Sequence, residues 1–133
     1  TCSGVRRMMI EKFDLTEHYA QIASWYTYRR QVPPPVSLLP RIGFIISDVA
    51  CCFLYQTDSH LAFMEGAIAN PLADKERRNE ALDMIGVTIC EEAKRLGFKH
   101  IFGVSKVEAV QKRVKRHGGV TDGVPHLVIK RAL

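Results

Sequence analysis

The chain has a single tryptophan and no apolar run approaching the ~20 residues of a membrane span. It also lacks a phosphate loop of the GxxxxGK[ST] or GxGxxG kind and any GxSxG motif, so P-loop, dinucleotide-binding and common hydrolase readings fall away. Its four cysteines, Cys2, Cys51, Cys52 and Cys90, show neither CxxC nor CxxH spacing. Neighbours Cys51 and Cys52 would point to opposite faces of a strand, so they read as free core thiols in a reducing, cytoplasmic setting. No two histidines have metal-ligand spacing on one helix face, and no metal is expected. The opening TCSGVRR has no apolar stretch of the secretory kind. Residues 1–7 are expected to be a leader or remnant outside one domain spanning 8–133.

What is present is a chain of 133 residues, 47% apolar and 25% charged, with a net charge of +5. That charge is uneven. From Ala93 to Leu133 there are ten Lys or Arg against two acids, a net +8, while the other residues carry nine against twelve, a net −3. The last third therefore suits an anionic partner or a solvated basic helix face. Its run Lys112-Arg113-Val114-Lys115-Arg116 has no interleaved aromatics, so specific nucleic-acid reading is not expected.

The clearest local pattern lies between His60 and Lys106. HLAFMEGAIAN alternates and then turns continuously apolar, as a strand buried on both faces does. Leu82, Ile85, Ile89, Ala93 and Leu96 follow at helical spacing, and Gly97 closes the helix after Lys94 and Arg95. HIFGVSK reads as a second strand, and a crossover of this length gives a parallel strand–helix–strand unit. Before it, MMIEKFDL (8–15) reads as a strand and His18 to Arg30 as a helix, with Thr16 and Asp14 competing for its N-cap. VPPPVSLLP must be extended, because prolines lack donors. RIGFIISD and VACCFLYQTD read as hairpin strands. After the central unit, VEAVQKRVKRH is a short helix ended by Gly118 and Gly119, and VTDGVPHLVIKRAL gives one or two strands. A mixed α/β sheet follows, mostly antiparallel, with one central parallel pair and helices on both faces.

This order of elements, the strand–loop–helix centre and the closing KRHGGV resemble the GNAT superfamily of N-acetyltransferases, over Met9 to Leu133. The likeness extends to compact, divergent GNAT-like proteins of phages. It implies a fourth strand that bulges and splays from the fifth, opening its backbone to the pantetheine arm of acetyl-CoA. Gly66, inside the buried strand, is a sensible bulge position. By that match Ile68 and Ala69 would face pantetheine, with Ser105 near the end of the fifth strand. The family's pyrophosphate loop, Gln/Arg-x-x-Gly-x-Gly/Ala, corresponds to Glu76-Arg77-Arg78-Asn79-Glu80-Ala81 or, shifted by one, to Arg77 through Leu82. Neither register keeps the first glycine. Two starts for the helix have different consequences. If Asp74 caps it, no open amide nest remains; if Asn79 does, the amides of Glu80, Ala81 and Leu82 are free for phosphate.

For catalysis the resemblance implies Glu65 as the general base. The family's tyrosine acid falls on Arg113 or Val114, which cannot serve. Tyr28 and Trp25, near the proline run, are the expected acceptor-binding residues. The implied activity is acetyl transfer from acetyl-CoA to a small-molecule or peptide amine, in a site that a protein partner or a second copy completes. The other reading is a GNAT-like scaffold without catalysis that binds or assembles, as in a virion.

Overall fold

Two stretches of strand-forming residues, 41–58 and 60–70, lie back to back in the chain, and the sheet grows from them. The computed structural model describes residues 8–103 together with Lys115, Arg116 and Gly118. The chain divides into two compact units, residues 1–102 and 103–133. The first contains β1 (Ile10–Lys12), α1 (Leu15–Tyr28), a 3-10 turn (Val36–Leu38), β2 (Ile42–Ile46), β3 (Ala50–Gln56), β4 (Leu61–Ala69), α2 (Lys75–Arg95) and β5 (His100–Phe102). Its strands lie in sequence order within one sheet, antiparallel except for the parallel pair β4 and β5. The mixed sheet predicted from sequence is what forms. In the second unit Lys115 and Arg116 are helical, and Gly118 follows at a φ of 84°. The rest of that basic segment, the predicted closing strands and residues 1–7 lie outside the described residues.

The side-chain period of two divides the core between the sheet's faces. Phe44, Ile46, Ala50, Cys52, Leu54 and Ala62 pack beneath α2, against its buried stripe Ala81, Ile85, Ile89 and Ala93. On the other face Ile45, Cys51, Phe53 and Ile68 meet Ile22 and Trp25 of α1. β4 changes parity on the way. Met64 belongs to the α2 face, yet so does Ala69, while Ile68 lies on the α1 face. An odd step of five residues keeps the same face only if an extra residue intervenes. The extra residue lies opposite Cys52: the β3–β4 register passes from Phe53↔Glu65 to Cys51↔Ile68, and Gly66 takes a φ of 75°. This is the bulge expected at Gly66.

Phe53 explains why glycine occupies that place. A Cβ on Gly66 would come within 3.1 Å of the Phe53 ring, and one on Gly43, across the sheet in β2, within 2.5 Å. Phe13 caps the ring edge-on, with centroids 4.9 Å apart. A buried phenyl thus fills the space of two missing side chains.

Both helices start earlier than the sequence periodicity indicated. At α1 Asp14 takes the N-cap over Thr16, its carboxylate accepting the Glu17 N–H at 2.9 Å. α2 begins at Lys75 rather than near Glu80, because Lys, Glu and Arg are good helix formers and nothing in KERRN breaks the turn. At its other end α1 closes with Arg30 at a φ of 58°, its N–H on the Thr27 carbonyl and the Gln31 N–H on the Tyr26 carbonyl. Glycine usually fills such a left-handed position. No helix among the described residues is long and apolar enough to cross a membrane.

Candidate functional site

Among the described residues β4 extends beyond its parallel neighbour. β5 pairs with it only from Leu61↔His100 to Phe63↔Phe102, so among the described residues Met64 to Ala69 have no strand on that edge. Which backbone groups face this open edge follows from one bond. The Asn70 N–H donates to the Val49 carbonyl at 2.8 Å, toward β3. The C=O and N–H of a trans peptide point opposite ways, so the Ala69 carbonyl faces outward. Ala50–Ala69 is then a non-hydrogen-bonded pair, and Cys51–Ile68 the bonded one. The open edge therefore belongs to Ala69, and to the Ala67 carbonyl before it. Ile68, expected to offer its backbone there, instead turns it toward Cys51 and buries its side chain beneath α1.

Beyond Ala69 a short loop leads to α2. Asn70 shapes it: its Oδ1 accepts the Leu72 N–H at 3.0 Å, and its Nδ2 donates to the Asp48 carbonyl at 2.8 Å. Asp74 holds the N-cap position without a side-chain capping bond, and the first helical bond runs from the Arg78 N–H to the Asp74 carbonyl at 2.9 Å. The amides of Lys75, Glu76 and Arg77 precede that bond and carry the positive end of the helix dipole. The helix starts where one alternative had it, yet its amides stay uncapped by Asp74.

The expected cradle moves accordingly. Asn79, Glu80, Ala81 and Leu82 lie inside α2, where i→i−4 bonding engages backbone amides. Ala81 is fully buried and Leu82 packs on the α2-face core, so neither is placed to meet a phosphate. Arg77 and Arg78 are half-buried in the first turn. Ser105 lies outside the described residues.

The α1 face of the sheet carries the candidate base. Glu65 sits opposite Phe53, and Phe63 opposite Tyr55, so the four share that face. Tyr55 donates its hydroxyl to the Leu38 carbonyl at 3.1 Å, and Tyr19 to the Pro34 carbonyl at 2.8 Å. These two phenols fasten the proline-rich segment beside Glu65. Burial, and secondarily the Glu65 charge, raises the Tyr55 phenol above its ordinary pKa. Tyr26, half-buried against the same cluster, is raised by burial and by nearby Cys51 and Tyr55. The Cys52 thiol donates to the Glu65 carbonyl at 3.4 Å, behind the bulge. Phe102, 55% exposed, meets Phe63 edge-on at 6.3 Å.

Of the two expected acceptor residues, Trp25 is a correction: at 4% exposure it is part of the core under α1, with no surface to offer a substrate. Tyr28 stands at the end of α1 and is 64% exposed. Sequence reading missed Arg29, whose guanidinium donates to the Ala69 carbonyl through Nε (3.2 Å) and Nη2 (3.0 Å). A contact across 40 positions leaves no local signature. Asn70 was legible as half of an Asn–Pro turn signal.

One cluster among the described residues has metal-ligand chemistry: Glu11, Glu17 and His18. The Asp14 N–H donates to His18 Nδ1 at 2.9 Å, which places the neutral ring's proton on Nε2. Nε2 then faces Glu11 at 3.5 Å and Glu17 at 3.9 Å as a donor, which fits a brace between β1 and α1 and not a metal ligand.

No family model matches the chain, and no curated protein matches it by sequence. Fourteen chains of solved structures do match in shape. One, described as a probable acetyltransferase, has a TM-score of 0.69 at 14% identity, covering 94% of this chain and 99% of that one. An aminoglycoside acetyltransferase from an uncultured soil metagenomic sample gives 0.62 at 14% identity, covering 95% and 96%. A GNAT family protein from Streptococcus pneumoniae gives 0.50 at 14% identity, covering 95% and 100%. The likeness is one of fold.

Proposed function

Because the chain has the GNAT fold and a β4 edge that no strand covers among the described residues, beside uncapped amides, we propose that it is an acyl-CoA-dependent N-acetyltransferase acting on a primary amine. The observation that carries the reading is the bulge at Gly66 followed by the outward-facing Ala69 peptide, a seat for an extended amide-bearing arm. The fit extends to the arm's anionic end. Three uncapped amides and the cations of Arg77 and Arg78 suit a diphosphate, with Glu76 as the one opposing charge in the first turn. Acetyl-CoA, when bound, supplies the acyl group as a thioester.

Glu65 takes the proton from the acceptor ammonium, leaving the amine lone pair free to attack. Phe63, Tyr55 and the strapped proline segment shield that carboxylate from bulk water and orient the amine's carbon chain. Tyr28, exposed at the end of α1, lines the approach of a small-molecule or peptide amine. An outward N–H on β4 is suited to hold developing negative charge on an acyl oxygen. Completion of the acceptor site by a protein partner or a second copy belongs to the same proposal.

A second reading, a GNAT-like binding or assembly protein such as a phage structural component, draws on the loop before α2. Residues 70–74 contain no glycine and are pinned by Asn70. Thermal melting against CoA separates the two. A ligand at 100 times its Kd adds ~2.7 kcal/mol of stability, which for a domain this size is a rise of several degrees. That rise, abolished in the Arg77→Glu, Arg78→Glu double variant, is the expected result. An unchanged melt at millimolar CoA overturns the enzyme reading and leaves the scaffold.

A further inference from the structure

The Ala69 carbonyl is already engaged. Arg29, the C-cap residue of α1, reaches it with two donors, Nε at 3.2 Å and Nη2 at 3.0 Å. Both donors belong to one guanidinium, so they converge on the oxygen from one side and set a cationic head beside it. Yet this oxygen, with that of Ala67, is an outward β4 acceptor for an amide N–H laid along the edge, because its peptide points away from β3. An amide that approaches this oxygen therefore competes with the fork for it.

We propose that Arg29 is a displaceable latch over the β4 edge: it occupies the Ala69 carbonyl in the free protein, and an amide-bearing arm must take that carbonyl from it. The inference rests on the reading of this edge as the seat of the pantetheine arm. Three features make Arg29 exchangeable. Its side chain is exposed, so water takes over its donors on release. It has left the helix proper, and its backbone is held independently: its N–H bonds the Trp25 and Tyr26 carbonyls at 3.2 and 3.0 Å. The turn behind it is closed by the Arg30 and Gln31 amides, so the side chain swings out without unwinding α1. A permanent brace between α1 and β4 is the competing role, and the two make opposite predictions about ligand affinity.

The experiment is calorimetric titration of pantetheine and of CoA into the wild type, Arg29→Ala and Arg29→Lys. Pantetheine carries the amides without phosphate, so any attraction between Arg29 and the diphosphate is absent from that arm. The latch predicts pantetheine binding about threefold to tenfold tighter in Arg29→Ala, the range for one exposed charge-assisted bond. Arg29→Lys, which cannot fork, falls between the two. Equal or weaker pantetheine binding by Arg29→Ala, while CoA still binds, overturns the latch and leaves the cofactor seat intact. If no form binds either ligand at millimolar concentration, the seat itself is wrong and the latch falls with it. Melting curves identify a misfolded variant, and Arg29→Lys, which keeps the charge and stem, then carries the comparison.

Discussion

Replacing Gly66 by alanine probes the bulge through two separable contributions. The first is backbone: at a φ of 75° an L-residue other than glycine is strained by roughly 1–2 kcal/mol. The second is steric, since the new Cβ lies 3.1 Å from the Phe53 ring, inside ordinary contact. Phe53 is buried between Gly43 and Phe13, so its ring has little room to yield, and overpacking of this kind adds about 1 kcal/mol or more. A total near 2–3 kcal/mol is a large share of the ~5–15 kcal/mol that holds a domain folded. Gly97→Ala isolates the first contribution: φ there is 95°, and a Cβ meets nothing within 4 Å. Urea unfolding followed by the fluorescence of Trp25, the only tryptophan and buried in the cluster with Phe53, reads both variants. With a slope of about 1–3 kcal/mol per molar, Gly66→Ala should lower the midpoint by roughly 1 M, clearly more than Gly97→Ala. Adding Phe53→Leu should recover part of the difference between them. If Gly66→Ala is no worse than Gly97→Ala, the ring does not enforce the glycine and the argument from Phe53 fails.

Two further expectations concern other parts of the chain. Arg30→Gly relieves a left-handed residue at the end of α1 and should raise stability by about 1 kcal/mol, seen as a higher melting temperature; a lower one would refute the strain. Burial pushes the Cys52 thiol up to about 12, and burial with the neighbouring Cys52 raises Cys51 further. The unfolded chain releases both protons from about pH 8.5 upward while the folded chain keeps them, so stability must fall as pH rises between about 9 and 12. Urea midpoints measured across that range check the sign, and the decline should be shallower in Cys51→Ala, Cys52→Ala, the raised Tyr26 and Tyr55 phenols supplying what remains.

Much of the fold was legible because it depends on periodicity. The switch from period two in β4 to three and four in α2 is written in the residues themselves, and so is the glycine that interrupts the strand. What escaped were features set by tertiary partners. The early start of α2 turned on the absence of a breaker in KERRN, a weak signal beside the apolar stripe beginning at Leu82. Ile68 was misjudged because which peptides face outward depends on how β3 pairs with β4 on the far side of the bulge, and the one-residue shift exchanges their directions. Trp25 lies one residue from Tyr26 and three from Tyr28 in sequence, yet helical spacing with Ile22 sends it inward. Glu65 was singled out by the family resemblance at its place mid-strand, and its phenolic neighbours appeared only once β3 was laid beside it. Arg29 could not be found at all from sequence, since its partner lies 40 residues away.

The phenyl group of Phe53 has a further effect. It is an interior side chain, yet its ring lies against the backbone of the bulge at Gly66, next to the strand's exposed margin. Mutational drift inside the hydrophobic layer and drift along the exposed margin are therefore not independent here. A smaller residue at position 53 would leave the extra residue of β4 in place but remove the ring that meets Gly66, so the backbone along that margin could shift with no surface residue altered.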